Sequence, residues 1–332
     1  MQTRQKNYLF PILTFCLGLA LTLGISSCKD DDELRISEYD PAVHVYATHY
    51  RDYAGEWETF IDITTGNYDS IPGTRERQPG GINIPNGTAA LTDFSQNRRI
   101  YLSGYGDEMI IQDLTTLEKT TIALDLPDGS SLITRPEFLT FGADNNTIYV
   151  FDRGGDRAIY VVDVIAQTLN MQLDDFPING DYFEAMVYQK STNDLFFFEK
   201  EKYYILDLDT NELLNDNGVL PGLFGFVQHP DNNLIYALTY PNADRVFRLA
   251  RLERTGNEFI VQILSGSDLA IDQLSPNLQT IHTATNAYVC RGGATLENNI
   301  KTYINSIDLN TGELIRTVTL DGFELMKKLE GE

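Results

Sequence analysis

Chemistry in this chain would have to come from a few clusters rich in Tyr, Arg, Asp and Gly. They are Tyr50-Arg51-Asp52-Tyr53, Tyr105-Gly106-Asp107-Glu108, Asp152-Arg153-Gly154-Gly155-Asp156-Arg157, Tyr240-Pro241-Asn242-Ala243-Asp244 and Arg291-Gly292-Gly293. Tyr and Arg offer flat hydrogen-bonding faces, and Gly allows close backbone approach. That composition suits a sugar or another polar, partly aromatic ligand. Trp57, the only Trp, follows the first cluster, and Gly180-Asp181-Tyr182-Phe183-Glu184 adds two aromatics and a carboxylate. The candidate ligand-binding residues are therefore Tyr50, Arg51, Tyr53, Trp57, Tyr105, Asp107, Arg153, Asp156, Arg157, Tyr182, Tyr240 and Arg291. The same residues equally suit ordinary solvated loops whose Tyr and Arg cover apolar rims.

Signals for catalysis are weaker. The four histidines, His44, His49, His229 and His282, include no pair at His-x-x-x-His spacing, and Cys290 has no nearby ligand partner. No Asp-x-Asp-x-Asp-Gly calcium loop, Gly-x-Ser-x-Gly elbow or phosphate-cradling loop is present. Carboxylate pairs such as Asp174-Asp175 are too common among 48 acids to mean glycoside chemistry. No catalytic residue, metal ligand or cofactor is assigned.

The elements that must position these clusters are repeated strands. Past residue 40 the chain shows short β-rich runs separated by Asn, Asp, Gly and Pro, with no long helical period. An apolar-Asp-apolar triplet recurs at Asp62, Asp113, Asp163, Asp207 and Asp308, and Leu249-Ala250-Arg251-Leu252 is a degenerate copy. The spacings are 51, 50, 44, 44 and 57 residues. An Asn turn runs into an apolar-aromatic strand at Asn97, Asn146, Asn193, Asn233 and Asn286. Four strands of about six residues with their turns need roughly this length, which is a propeller blade. The expected fold is an all-β propeller of six blades, or seven if one degenerate blade is hidden, and the long period argues against a two-sheet sandwich. The five repeat aspartates read as turn caps rather than a carboxylate ring.

The first unit starts at its second strand, Ala42 to His49, and the chain continues past Leu320 into Asp321 to Leu329. This tail is expected to return as the innermost strand of blade 1, closing the ring and removing two edges. Propeller loops between second and third strands gather at one end of the channel, where most of the candidate clusters above would sit.

Charge sharpens the range of partners. Lys plus Arg is 25 and Asp plus Glu is 48, for a net charge of −23, which disfavours a nucleic-acid ligand. Arg4 and Lys6 precede an apolar run from Tyr8 through Ile25, the layout of a secretory signal peptide. The exit Gly24-Ile25-Ser26-Ser27-Cys28 resembles a bacterial lipobox, and Lys29-Asp30-Asp31-Asp32-Glu33 resembles the export signal of Bacteroidota surface lipoproteins. Ile25 and Ser27 depart from the commonest lipobox residues. The resemblance implies residues 1–27 as signal peptide, Cys28 as the lipidated residue and 28–41 as an acidic tether. Residues 42–332 would then form a single propeller domain. Loss of 1–27 would leave a net charge of −25 and no disulfide, because only Cys290 remains free.

The turn-strand His229-Pro230-Asp231-Asn232-Asn233-Leu234-Ile235-Tyr236 resembles the YVTN and NHL-like propellers. That resemblance covers nearly all of residues 42–320 and specifies fold, not activity. Propeller lipoproteins similar to this one accompany TonB-dependent transporters, some holding cobalamin and others glycans. The resemblance implies a lipid-anchored protein of the outer membrane, exposed at the cell surface, that captures a ligand such as a glycan or cobalamin, or a partner protein, and works with a TonB-dependent transporter. A metal-assisted propeller hydrolase or lyase is the first alternative, since such metal sites leave little sequence trace. A protein-interaction scaffold is the second.

Overall fold

The protein is described by a computed structural model in which the chain separates into two compact units, Met1–Arg35 and Ile36–Glu332. The described residues all lie in the second unit: 40–50, 56–72, 90–102, 108–116, 118–125, 133, 136–154, 157–174, 176, 183–239, 246–266, 269, 278–296, 299–320 and 326–331. The signal segment, Cys28 and the tether up to residue 39 fall outside them.

Among the described residues, twenty-four strands build six four-stranded antiparallel sheets. Strands β1–β3 are His44–Tyr50, Glu56–Asp62 and Tyr68–Pro72; β4–β7 are Ala90–Asp93, Arg98–Leu102, Glu108–Asp113 and Lys119–Ala123. Strands β8–β11 are Pro136–Phe141, Thr147–Asp152, Ala158–Asp163 and Thr168–Leu173. Strands β12–β15 are Ala185–Gln189, Asp194–Phe198, Lys202–Asp207 and Glu212–Val219. Strands β16–β19 are Leu223–Gln228, Ile235–Thr239, Leu249–Thr255 and Glu258–Ile263. Strands β20–β24 are Gln279–His282, Ala287–Leu296, Asn299–Asp308, Leu314–Leu320 and Met326–Glu330. Blades 2 to 6 take their four strands in chain order, while blade 1 is ordered β24-β1-β2-β3. The fold is a six-bladed β-propeller.

The C-terminal strand is the closure expected from the sequence. Strand β24 lies antiparallel to β1, with Tyr46 opposite Glu330, Ala47 opposite Leu329 and His49 opposite Met326. The innermost strands β8, β12, β16, β20 and β24 follow one another around the axis, and β4 contacts β8. A side-chain bond from Thr92 Oγ1 to Glu330 Oε2, 2.8 Å, joins β4 to β24.

The two repeated sequence elements recur together because they bond to each other. In each of four blades the residue after the triplet Asp donates its N–H to the Asn-turn carbonyl. The pairs are Leu114 to Asn97 at 3.0 Å, Val164 to Asn146 at 2.8 Å, Leu208 to Asn193 at 3.1 Å and Leu309 to Asn286 at 3.1 Å. Asn97, Asn193, Asn233 and Asn286 hold φ between 51° and 58°, a left-handed conformation that Asn tolerates better than most residues. Each repeat Asp caps the next turn, as Asp113 Oδ1 does for the N–H groups of Thr115 and Thr116, both at 2.8 Å. Those bonds hold the Asp113 carboxyl below its usual range. Burial raises the Asp62 carboxyl, but bonds from Thr64 and Thr65 outweigh it and leave the pKa lowered.

Alternate residues along each blade face opposite neighbours, so the apolar sets fall into seams between blades. Among the described residues, five seams hold clusters of 12 or 13 buried apolar residues, whereas the cluster at the seam between blades 1 and 2 is Ala90, Tyr101 and Ile110, with the Tyr46 ring packed edge-on against Phe60 and Phe94. That seam also carries a buried ion pair, Arg99 with Glu330.

Candidate functional site

The innermost strands enclose a cavity of about 290 Å3 on the propeller axis. Every blade contributes to its wall. The polar positions are Thr92, Thr140, Gln228, Gln279, Thr280 and Glu330, set among Leu91, Leu139, Met186 and Val187. Among the described residues of this wall, Glu330 alone is charged. Its Oε2 accepts from Arg99 Nη1 at 2.7 Å and from Thr92 Oγ1 at 2.8 Å, and its Oε1 accepts from the Thr92 N–H at 3.3 Å. The carboxylate is thus neutralised from behind. Gln228 brings a buried Nε2 with no hydrogen-bond partner among the described residues. The wall offers hydroxyls and amides spaced by apolar surface, which bind uncharged polar groups without a net field.

Strand alternation places the loops between second and third strands at one end of this cavity, the end also used by the links between blades. The Asp caps and Asn turns occupy the opposite end. Arg51, Tyr53, Tyr105, Asp107, Asp156, Tyr182 and Tyr240 lie outside the described residues. Tyr50 ends β1 and Trp57 lies opposite His49 in β2, so both backbones flank the 51–55 link, and their side chains also lie outside the described set.

Three of the candidate arginines are described, and they do not converge. Arg153 pairs with Glu137 at 2.9 Å within blade 3. Arg157, at φ 56°, shapes the same turn, and its carbonyl accepts the Phe176 N–H at 2.8 Å. Arg291 corrects the sequence expectation. Arg291-Gly292-Gly293 is no loop but the middle of the ten-residue strand β21, with Arg291 opposite Ile304. The Gly-Gly pair has turn composition, yet the β21–β22 hairpin runs on to Leu296 opposite Asn299. Arg291 is 6 % exposed, and its Nε has no partner among the described residues. Burial pushes its pKa down. Blades 3 and 6 stand on opposite sides of a six-bladed ring, so these arginines form no single basic rim.

Three histidines and Cys290 make structural contacts. His44 Nδ1 accepts the Asp40 N–H at 2.9 Å, and His229 Nδ1 accepts the Asp231 N–H at 3.2 Å. His282 ends β20, with Nδ1 2.7 Å from Thr285 Oγ1, and burial lowers its pKa. Cys290 is buried in the seam between blades 5 and 6, and burial alone pushes its thiol up to about 12. Among the described residues no three His, Cys, Asp or Glu side chains stand close enough to hold a metal.

The sequence did not single out Glu330, Arg99, Thr92 or Gln228. Placing the tail as the inner strand of blade 1 pointed toward Glu330. Its register against β1 was still needed to turn it to the axis.

Fold and site define a six-bladed propeller with a hydrogen-bonding, almost uncharged axial cavity. No protein-family profile matches the chain, and no curated protein matches it. Among solved structures, a chain of Kuenenia stuttgartiensis hydrazine synthase is similar over 76 % of this chain and 72 % of that chain. The identity is 10 % and the TM-score 0.49, so no chemistry carries across.

Proposed function

We propose that this protein is a surface-exposed lipoprotein whose propeller captures an uncharged polar ligand, such as a glycan or cobalamin, and works with a TonB-dependent transporter. Cys28 would carry the lipid, and Asp30 to Glu33 would direct export. The lipobox-like exit and the acidic run support the address, and the YVTN/NHL-like turns support the propeller fold. The observation that carries the binding reading is the cavity wall. It gathers Thr92, Thr140, Gln228, Gln279 and Thr280 around one carboxylate already held by Arg99. Such a wall selects by hydrogen bonding and shape.

Two measurements test this reading. Calorimetric titration of the purified domain with cyanocobalamin and with neutral oligosaccharides should give saturable binding to one class, weakened at least tenfold in Gln228→Leu. Absence of binding to both classes would contradict ligand capture. In cells, replacing Asp30, Asp31 and Asp32 by Ala should leave the protein lipidated but remove it from the exterior. Retained surface labelling would contradict the export role.

A further inference from the structure

We propose that the seam between blades 1 and 2 is an interior water-binding site, in which ordered water joins the free edge of Arg99 to Glu58, Tyr46 and Thr48. Ladder register places these groups face to face. Thr48 lies opposite Glu58 and Tyr46 opposite Phe60, so Tyr46, Thr48 and Glu58 share the blade 1 face of the seam. Arg99 lies opposite both Thr92 and Gln112, and Tyr101 is two residues on, so these share the facing side of blade 2. The Arg99 guanidinium carbon sits 4.8 Å from the Tyr46 ring centre and 5.3 Å from that of Tyr101. Arg99 and Tyr46 are 0 % exposed, and Thr48 and Glu58 are 1 % exposed.

The bonds made directly leave a defined remainder. Arg99 Nη1 is used by Glu330 and Thr92. One Glu58 oxygen accepts from Tyr101 Oη at 2.7 Å. Five atoms remain buried without a partner: Arg99 Nε, Arg99 Nη2, Glu58 Oε2, Tyr46 Oη and Thr48 Oγ1. They are five of the eight such atoms among the described residues, and all belong to one seam. Nε and Nη2 form the two-donor edge of the guanidinium. Five unmade buried bonds would together rival the net stability of a whole domain.

The sign of the groups selects the occupant. An anion would satisfy Arg99 and be repelled by Glu58, and a cation would do the reverse. A neutral molecule that both donates and accepts satisfies all five atoms, and water is the smallest that does. Thr92 and Glu330 line the axial cavity and also bond to Arg99, so the site adjoins that cavity. This inference stands whether or not the cavity binds a ligand.

A high-resolution crystal structure of the domain should show ordered water within hydrogen-bond distance of Arg99 Nε or Nη2 and of Glu58 Oε2. A direct Arg99–Glu58 ion pair, or a dry seam, would overturn the proposal. The melting temperatures of Tyr46→Phe and Thr48→Val provide a second test that depends on sign. If water holds these hydroxyls, deleting either should lower the melting temperature by about 2–4 °C. If the hydroxyls are truly unbonded, deletion removes a cost, so an unchanged or raised melting temperature in both variants would also overturn it.

Discussion

Blade 1 meets its two neighbours in opposite ways. Toward blade 6 it presents Val45, Ala47, Ile61, Met326 and Leu329, which pack against Leu278, Val289 and Ile304. Toward blade 2 it presents Tyr46, Thr48 and Glu58, which meet Arg99, Tyr101 and Gln112. One pair of strands produces both faces, because residues alternate along β1 and β24. Leu329 goes to the apolar seam, and Glu330 goes to the polar one. Each seam also buries an arginine. Arg99 is tied to Glu330 and Thr92 and lies between two tyrosine rings, whereas Arg291 Nε is buried with no hydrogen-bond partner among the described residues. Their pKa values follow suit. Burial disfavours the Arg99 charge, but Tyr46, Glu330, Tyr101 and Glu58 outweigh it and hold the pKa well above the usual value. Burial acts alone on Arg291 and lowers it. A ring can thus close on a single strand that uses apolar packing on one side and paired charge on the other.

The broadest way to break the comparison is to remove the strand common to both seams. Deleting residues 326–332 takes away Met326, Leu329 and Glu330 together. It should lower the melting temperature by more than about 10 °C or leave no folded protein. An unchanged melt would mean the ring does not depend on this closure.

Single substitutions sharpen the contrast. Arg99→Met removes the buried guanidinium that bonds Glu330 and should cost about 3–5 kcal/mol in urea unfolding. Leu329→Ala opens a cavity in the apolar seam and should cost about 2–4 kcal/mol. Arg291→Met removes a buried charge that has no counter-charge among the described residues. It should change stability by less than about 1 kcal/mol, or raise it. A loss at Arg291 equal to that at Arg99 would erase the distinction between the two seams.

The smallest effect concerns pH. Burial lowers the His282 pKa in the folded protein, so between that value and about 6.5 the unfolded chain binds the extra proton. His282 therefore favours folding fully above about pH 6.5, and this contribution fades as pH falls toward the folded pKa. The loss of melting temperature from pH 7 to pH 5.5 should be smaller in His282→Gln than in the parent.

The blades were legible in the sequence because their markers are mutually bonded. The Asn turn and the Asp triplet touch in each hairpin, so both recur in order. Closure was legible because the first unit lacked its inner strand and the tail was left over. The two kinds of seam were not legible. Arg99 sits in Asn97-Arg98-Arg99-Ile100-Tyr101, which reads as a turn entering a strand. Only the ring determines that its side chain meets Tyr46 of another blade. The Gly-Gly after Arg291 pointed to a loop, but local composition cannot tell a turn from a strand that both neighbours already hold extended. Most of the loop candidates lie outside the described residues, so the axial cavity, not the Tyr/Arg clusters, became the site.

The central claim is that paired, buried charge holds the seam between blades 1 and 2. A double-mutant cycle on Arg99→Met and Glu330→Leu, read by urea unfolding, tests it most directly. The double variant should be more stable than the sum of the single losses predicts, with a coupling of about 1–3 kcal/mol. Losses that add to within about 0.5 kcal/mol would show that the two residues act independently, contrary to a charge-latched seam.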